Sequence, residues 1–332
     1  MKQLLIKSQH YIILLQSFQD WLQTMGYAQG TVETFPVHLR EFFHYLEQRH
    51  VFHIRQIKQR HYDGFVTYLQ VRTNKRNKGG GLSTSTINKT MQSVNTFAKY
   101  INQNGRFTLN ITSRFLQNTQ CVPNVLSEKE IRQIYEATFT PHRENAQAIG
   151  QRDRAILAVF YGCGLRKSEG SALNITDIDL LKRRLFVRNG KGNKQRYVPI
   201  APKAAEDIKL YLEYGRYWFL EAQLQGLQGN NLLKKTNANA SAFFLNQRGQ
   251  RMNAFYDRFK YLKKYSRITT HFSTHTFRHS IATHLLQRGM QLEEIAQFLG
   301  HASLESTQLY THIVEGQQPV EGRQPTNLNL NQ

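Results

Sequence analysis

The sequence predicts a mainly α-helical fold with a small antiparallel β-sheet, divided between two domains. Its 332 residues, 40% of them apolar, suffice for two compact domains that each have a core. Apolar residues in the first third recur at spacings of three and four, which is typical of amphipathic helices, whereas a probable β-hairpin comes only later in the chain. Helical periodicity lapses around TSRFLQNTQCVPNV, and the proline there suits a linker. We therefore predict a helical domain over 1–114, a linker over 115–125, a mixed α/β domain over 126–314 and a polar tail over 315–332.

Four helical segments fill the first third: HYIILLQSFQDWLQTMG, GTVETFPVHLREFFHYLEQRH, HIRQIKQRHYDGFVTYLQVR and STSTINKTMQSVNTFAKYINQNG. Their periodicity predicts a small helical bundle in which each helix packs one apolar stripe on its neighbours. In the first segment the predicted stripe consists of Ile12, Leu15, Phe18 and Leu22.

A glycine-rich basic loop, RTNKRNKGGGLSTS, separates the third and fourth predicted helices. Its cationic side chains cannot belong to a core, so the loop is either flexible and solvated or a contact for phosphate groups. The sequence leaves both interpretations open. The candidate phosphate contacts in this loop are Arg72, Lys75, Arg76 and Lys78.

The second domain is predicted to open with a capping box, in which Ser127 and Glu130 cap the helix of LSEKEIRQIYEAT. A helix in QRDRAILAVFYGCG, a hairpin in RRLFVRNGKGNKQRYVPI and a helix from about Ala204 to Tyr217 follow. After a polar insertion near 223–241, AFFLN is predicted to be a short strand that precedes several more helices. The tail EGQQPVEGRQPTNLNLNQ is too polar to form a core alone.

Charge is the first indication of function. Lys and Arg number 44 against 23 Asp and Glu, giving a net charge of +21, which is more than solubility requires and predicts a polyanionic partner. No apolar run approaches the roughly 20 residues that span a bilayer, and no signal-peptide cleavage site follows the first apolar stretch, so we expect a cytoplasmic protein. Two cysteines without metal-ligand spacing argue against a disulfide framework or a zinc site.

The segment STHTFRHSIATHLLQRG predicts a helix that Ser273 or Thr274 caps and Gly289 ends. His275 and Arg278 then lie three residues apart on its first turn. The positive end of the helix dipole, an imidazole and a guanidinium together make a good phosphate site. Alone, however, this pattern is more often an ordinary surface pair.

Three further motifs carry candidate catalytic residues. Arg166 and Glu169 lie in GLRKSE, where such a pair is usually a weak surface ion pair. Lys191 lies between glycines in the predicted hairpin, a position that is usually solvent-exposed. His301 ends LGH, and Tyr310 follows it nine residues later, on a predicted short helix.

In this order, GLRxSE, GKGxKxR, HxxRH, LGH and the tyrosine resemble the tyrosine site-specific recombinases, the phage-type integrases, and most closely their Xer-like and mobile-element members. The resemblance covers nearly the whole chain. It implies a helical core-binding domain that contacts DNA, then a catalytic domain that cuts and rejoins strands through a 3′-phosphotyrosyl intermediate and a Holliday junction. It also implies a tetramer on double-stranded recombination sites and no metal or nucleotide cofactor; accessory DNA-bending proteins are left open as further partners.

The resemblance also assigns roles that the chemistry requires. A phosphodiester is anionic and its 5′ alkoxide leaves poorly, so the oxygens must be neutralised and the leaving group protonated. By this resemblance, Arg166 and Arg278 clamp the phosphate, and Glu169 orients the first of these arginines. His275 and His301 donate hydrogen bonds to the phosphate, and His275 is also able to accept the tyrosine proton. Tyr310 is the nucleophile and Lys191 the general acid, with Lys194 as the alternative acid and a DNA contact.

Other functions are compatible with part of this pattern. A type IB topoisomerase shares the same catalytic groups but relaxes DNA without exchanging partners, and a catalytically inactive DNA-binding protein would keep only the charge. Among recombinases, Xer-type chromosome dimer resolution is the alternative to integration and excision of a mobile element. The polar insertion and tail favour the mobile element.

Overall fold

The computed structural model describes residues 4–74, 80–104, 107–117, 123–139, 146–188, 195–225 and 241–301, together with 303, 304, 307, 308, 310 and 311. The chain divides into two compact units, Met1–Cys121 and Val122–Gln332. Most described residues are helical, with one three-stranded antiparallel sheet, so the predicted fold class is confirmed.

The first unit is a helical bundle. Ser8 and Ser83 cap the first and last of its four long helices by accepting a hydrogen bond from a backbone N–H in the first turn. A short 3-10 turn at Ile54–Gln56 precedes the third helix. The helices are α1 (Gln9–Thr24), α2 (Gln29–Glu47), α3 (Gln59–Val71) and α4 (Thr84–Gln103).

Aromatic rings fill the core of this bundle. Tyr11 stacks on Phe43, and Phe18 packs edge-on against Phe97. The predicted stripe of α1 is correct at Leu15, Phe18 and Leu22 but wrong at Ile12, which is 40% exposed. Tyr11 is buried in its place because the helix faces the core along the 11, 15, 18, 22 row, one position earlier.

The second unit opens with α5 (Glu128–Glu136), and its predicted capping box is confirmed, since Ser127 Oγ accepts from Glu130 N and Glu130 Oε2 accepts from Ser127 N. Two later helices each continue into a π-helical turn, at Ala158–Gly162 and Tyr211–Gly215. The two helices with these π-helical turns are α6 (Ala146–Leu157) and α8 (Pro202–Leu210). The helices α7 (Lys167–Ala172) and α9 (Arg216–Gln225) follow them in turn.

The small sheet has the order β1-β2-β3, with β1 at Ile178–Asp179, β2 at Arg184–Val187 and β3 at Arg196–Pro199. Strands β2 and β3 are the two sides of the predicted hairpin, and its tip, 189–194, lies outside the described residues. The predicted strand AFFLN is wrong: Ala242 and Leu245 form single bridges to two different partners, so no ladder of consecutive pairs develops.

Three helices complete the described part of the second unit: α10 (Tyr256–Ser266), α11 (Thr274–Gln287) and α12 (Leu292–Leu299). Ser273 is the cap of α11, and Gly289 follows its end with a φ of +87°. Gly300 ends α12 in the left-handed conformation, at a φ of +65°. None of the described helices is both long and apolar enough to cross a membrane.

Candidate active site

The first turn of α11 brings His275 and Arg278 to one side of the helix, but their environments differ. His275 is exposed, whereas Arg278 is buried. The guanidinium of Arg278 donates one hydrogen bond to Gly164 O at 2.6 Å and another to Leu299 O at 2.7 Å. These two hydrogen bonds fix the orientation of the Arg278 side chain. An arginine in an ordinary surface ion pair would not be held in this way.

Arg166 is the N-cap residue of α7, and Glu169 lies in the first turn of that helix. Glu169 accepts from the backbone N–H of Arg166 at 2.9 Å and from its guanidinium at 2.8 Å. A second guanidinium nitrogen of Arg166 donates to Gly300 O at 3.0 Å. Arg166 and Arg278 consequently contact adjacent carbonyl groups at the end of α12, although 112 positions separate them along the chain.

A third arginine, Arg196, reaches the same carboxylate. It donates to both oxygens of Glu169, at 2.9 and 3.1 Å. Sequence reasoning quoted this residue within the hairpin motif but gave it no role. The available signal was its place in that motif, on the strand that returns from Lys191. We refer to Arg166, Arg196, Arg278 and Glu169 as the arginine cluster.

The charges of the arginine cluster are strongly coupled. Burial raises the pKa of the Glu169 carboxyl, but the hydrogen bonds and charge of Arg196, and then the hydrogen bonds of Arg166, outweigh this effect, so that the pKa lies below its ordinary value. Burial, together with the charge of Arg166, lowers the pKa of Arg278 to about 10. At neutral pH the cluster therefore holds three cations around one anion, and its excess positive charge suits a phosphate.

Tyr310 lies among apolar side chains of α11 and α12 and is only 1% exposed. Its hydroxyl is 3.1 Å from His279 Nδ1, and its ring lies nearly parallel to that of His301, with the centroids 6.3 Å apart. His301 Nδ1 in turn is 2.8 Å from Thr307 Oγ1. The structure thus brings Tyr310 next to His301, as well as to His279, a residue to which sequence reasoning gave no role. Its signal was the second histidine of HxxRH.

The proton between Tyr310 and His279 stays on the phenol. Burial raises the pKa of Tyr310 above its usual value, against the opposing charges of Arg278 and Arg166. Burial, and then the charges of His275 and Arg278, lower the pKa of His279 to about 4. A base that weak does not deprotonate a phenol, so His279 holds the hydroxyl without activating it.

The other two histidines are also kept neutral. Burial and the charges of Arg278 and Arg166 lower the pKa of His301 to about 4. The protein covers His275 only in part, and this partial desolvation and the same two charges lower its pKa as well. A neutral imidazole keeps one N–H to donate to a phosphate oxygen and one nitrogen to accept a proton.

The remaining predicted site residues divide into two groups. Arg72 was expected to project from a basic loop, but it ends α3 and forms an ion pair with Glu41, with its guanidinium mostly buried. That partner reduces its availability to DNA, because a paired arginine must give up one ion pair to form another. The residues that lie outside the described part of the chain are Lys75, Arg76, Lys78, Lys191 and Lys194.

The second unit holds a group of arginines, fixed by hydrogen bonds, close to a tyrosine, and it follows a helical bundle in the chain. This combination is typical of a class of phosphoryl-transfer proteins in which tyrosine is the candidate nucleophile. The profile of the phage integrase family matches residues 124–316, and that of the phage integrase N-terminal SAM-like domain matches residues 14–105. The chain belongs to the phage integrase family, and it is a tyrosine site-specific recombinase.

Individual relatives agree with this assignment. The tyrosine recombinase XerC of Oceanobacillus iheyensis is 30% identical over 308 residues, covering 91% of this chain and 92% of the relative. The XerC protein of Bacillus subtilis is 30% identical over 301 residues, covering 89% and 90%. The fold is similar to that of the XerH site-specific recombinase bound to a palindromic difH substrate after cleavage, with a TM-score of 0.67, 20% identity and coverage of 95% and 88%.

Proposed function

We propose that Tyr310 is the nucleophile of the recombination reaction and that Arg166 and Arg278 of the arginine cluster stabilise the phosphate it attacks. The observation that carries this proposal is the convergence of Arg166 and Arg278 on the end of α12, immediately before His301, whose ring lies close to that of Tyr310. We call residues 303–311 the Tyr310 segment. Planar donors with fixed positions suit the charge that builds on the non-bridging oxygens, since they need no reorganisation as the reaction proceeds.

The proposed chemistry balances as follows. The Tyr310 oxygen forms a bond to phosphorus and loses its proton, for which His275 is the predicted acceptor, while the bond from phosphorus to the 5′ oxygen breaks. Lys191 donates the proton that the leaving 5′ oxygen takes up. A 5′-hydroxyl of another strand then attacks the 3′-phosphotyrosyl bond, releasing Tyr310 and producing a Holliday junction after the first pair of exchanges.

We propose that this conformation is a resting state of Tyr310. Its hydroxyl is buried and hydrogen-bonded to His279, and its raised pKa opposes formation of the phenolate. We propose that DNA binding or contact with another subunit moves the Tyr310 segment, so that the phenol leaves His279 and reaches the cations of the arginine cluster. The helices and the strand that carry those cations need not move.

We further propose that the protein works in the cytoplasm as a tetramer on double-stranded recombination sites. Two settings are compatible with the chain. Similarity to XerC recombinases over about nine-tenths of the sequence favours Xer-type resolution of DNA. The polar insertion near 223–241 and the polar tail, in contrast, favour a mobile element.

Trapping on a nicked suicide substrate tests the nucleophile. After cleavage such a substrate loses the short strand that would reseal the break, so a covalent protein–DNA adduct accumulates. Wild-type protein should form an adduct resistant to detergent, and Tyr310→Phe should bind DNA but form none. Tyr197→Phe is the control, because Tyr197 is 58% exposed on β3 and lies at the Lys191 hairpin. An adduct with Tyr310→Phe would contradict the proposal.

A further inference from the structure

Arg196 occupies a central place in the arginine cluster without belonging to any of the residues assigned to catalysis. It is the first residue of β3, the strand that follows Lys191 in the β2–β3 hairpin, which we call the lysine hairpin. Its guanidinium forms a two-pronged contact with Glu169, and its Nε lies 3.4 Å from Phe298 O. Its side chain is only 13% exposed, against 1% for Glu169.

The three arginines share the end of α12 in a regular way. Arg196 faces the carbonyl oxygen of Phe298, Arg278 that of Leu299, and Arg166 that of Gly300. The last carbonyls of a helix have no partner within the helix and carry the negative end of its dipole, so cations are stabilised there. Each of these three consecutive oxygens therefore has one guanidinium, and His301 is the next residue.

Gly300 shows how closely Arg196 fits. A Cβ atom at position 300 would lie 2.8 Å from three atoms of the Arg196 guanidinium, and the φ of +65° is itself unfavourable for other residues. The backbone before His301 and the guanidinium of Arg196 consequently determine each other's position.

Glu169 connects Arg196 to the residues proposed to bind phosphate. One oxygen accepts from both Arg166 and Arg196, while the other accepts from Arg196 and lies 4.0 Å from Arg278. Without Arg196, Glu169 would keep only Arg166 as a close cationic partner. All the remaining hydrogen bonds of the carboxylate would come from Arg166, and its charge, no longer shared with Arg196, would draw the phosphate-binding arginines toward itself and away from the substrate.

We propose that Arg196 is a positioning residue for strand cleavage: it fixes the Glu169 carboxylate and the end of α12, and so keeps Arg166, Arg278 and His301 in place for the phosphate. This inference rests on the proposed function of those residues. Arg196 does not contact the reacting atoms. It acts through Glu169, and it joins the strand behind the lysine hairpin to the phosphate-binding groups.

The variants for testing this are Arg196→Gln, which removes the cation, and Arg196→Lys, which keeps the charge but loses the two-pronged geometry. Arg184→Gln is the matched control, since Arg184 lies on the neighbouring strand β2, pairs with the more exposed Asp179 and does not contact the cluster. Single-turnover cleavage of the suicide substrate should fall about 10- to 100-fold with Arg196→Gln, because misplacement of about 1 Å costs that much. The cleavage rate of Arg196→Lys should lie between those of wild type and Arg196→Gln, and the rate of Arg184→Gln should equal that of wild type.

Modified substrates separate positioning from a general loss of structure. A methylphosphonate at the scissile position lacks one non-bridging charge and depends less on the arginine clamp, so the deficit of Arg196→Gln should shrink at least several-fold on it. A 5′-bridging sulfur removes only the need for a proton donor, and the deficit should persist there. Equal deficits on all three substrates would overturn the proposal. A deficit that only the bridging sulfur relieves would also overturn it, because Arg196 would then support proton donation by Lys191 and not the phosphate-binding groups.

A double-mutant cycle tests the route through Glu169. In a Glu169→Gln background the further change Arg196→Gln should cost less than about 3-fold, because the contact is already lost. Fully additive losses would contradict positioning through Glu169. The wild-type adduct and its absence in Tyr310→Phe are measured in the same assay, so failure of the nucleophile proposal and failure of this one give different results.

Discussion

The arginine cluster and the Tyr310 segment lie in the same unit, yet they differ in readiness for reaction. Every guanidinium of the cluster has backbone carbonyl or carboxylate partners that hold it in one orientation. Tyr310, in contrast, is buried among apolar side chains with its hydroxyl on His279. The groups proposed to stabilise charge are organised in advance, whereas the proposed nucleophile is not.

This difference has a physical basis. Fixed dipoles and cations reduce the barrier only if they are in place before charge develops, so organising them early favours the reaction. A nucleophile that breaks DNA would be harmful if it were always exposed. Its burial costs little, because a protonated phenol satisfied by one hydrogen bond is stable in an apolar site. Control of cleavage can then reside in the Tyr310 segment alone.

The largest effect is expected for the proton donor, which belongs to neither region. Lys191→Ala should slow cleavage of a normal phosphodiester about 10²- to 10⁴-fold. A 5′-bridging sulfur should restore most of the rate, because a thiolate leaves without protonation. Lys194→Ala is the control and should show no such rescue. Sulfur rescue of Lys194→Ala but not of Lys191→Ala would make Lys194 the acid.

A direct test of the cluster is Arg278→Lys. Lysine cannot donate to Gly164 O and Leu299 O while presenting a planar pair of donors to phosphate, so cleavage should fall about 10²- to 10³-fold with DNA affinity little changed. Arg288→Lys on the same helix is the control, since its exposed pair with Glu128 lies outside the cluster. Wild-type cleavage by Arg278→Lys would show that the cluster is structural and not a phosphate site.

A gain in rate is expected when the Tyr310 segment is loosened. His279→Leu removes the partner of a buried hydroxyl, which costs the inactive conformation about 1–3 kcal/mol, so single-turnover cleavage should rise roughly 10-fold. His284→Leu is the matched control, because His284 lies on the same helix and contacts the hydroxyl of Tyr161 at 3.0 Å. An unchanged or lower rate with His279→Leu would contradict the proposed resting state.

The sequence predicted the catalytic motifs better than their arrangement. Arg166, Glu169 and Arg278 were recognisable because a spaced motif preserves residue types, and the structure brings all three together. Arg196 and His279 had no assigned role, since their importance depends on contacts with residues 27 and 31 positions away. The burial of Tyr310 was also not predictable, because a tyrosine suits both a position in an apolar core and the role of a nucleophile. The residue type alone does not distinguish the two.

Fold predictions failed where tertiary contacts override local pattern. Ile12 satisfies the helical spacing of its stripe, but packing on Phe43 turns Tyr11 inward instead. The short apolar segment AFFLN was predicted to be a strand, whereas the backbone there meets Asn174 and Arg251 at single positions. Both segments are apolar enough to be buried, and only the neighbouring elements decide how.

The smallest expected effect concerns the histidines around Tyr310, whose lowered pKa values link stability to pH. The folded protein keeps His279 and His301 neutral down to about pH 4, while the unfolded chain protonates them near pH 6.5. Between these values the unfolded chain binds more protons, so the free energy of unfolding should fall as the pH drops from 6.5 toward 4. Allowing for solvent screening, about 1 kcal/mol per imidazole is expected.

Trp218 can report this transition for the second unit, because the chain has two tryptophans and Trp21→Phe leaves only that one. In this background, urea unfolding at pH 7 and pH 5 should show a smaller loss of stability for His279→Leu than for the parent, whereas His271→Leu, at an exposed position, should leave the loss unchanged. Any remaining change belongs to the other groups that titrate in this range. An undiminished loss in His279→Leu would show that His279 is not held neutral beside Tyr310, and the difference between the two regions would then be one of position and not of protonation.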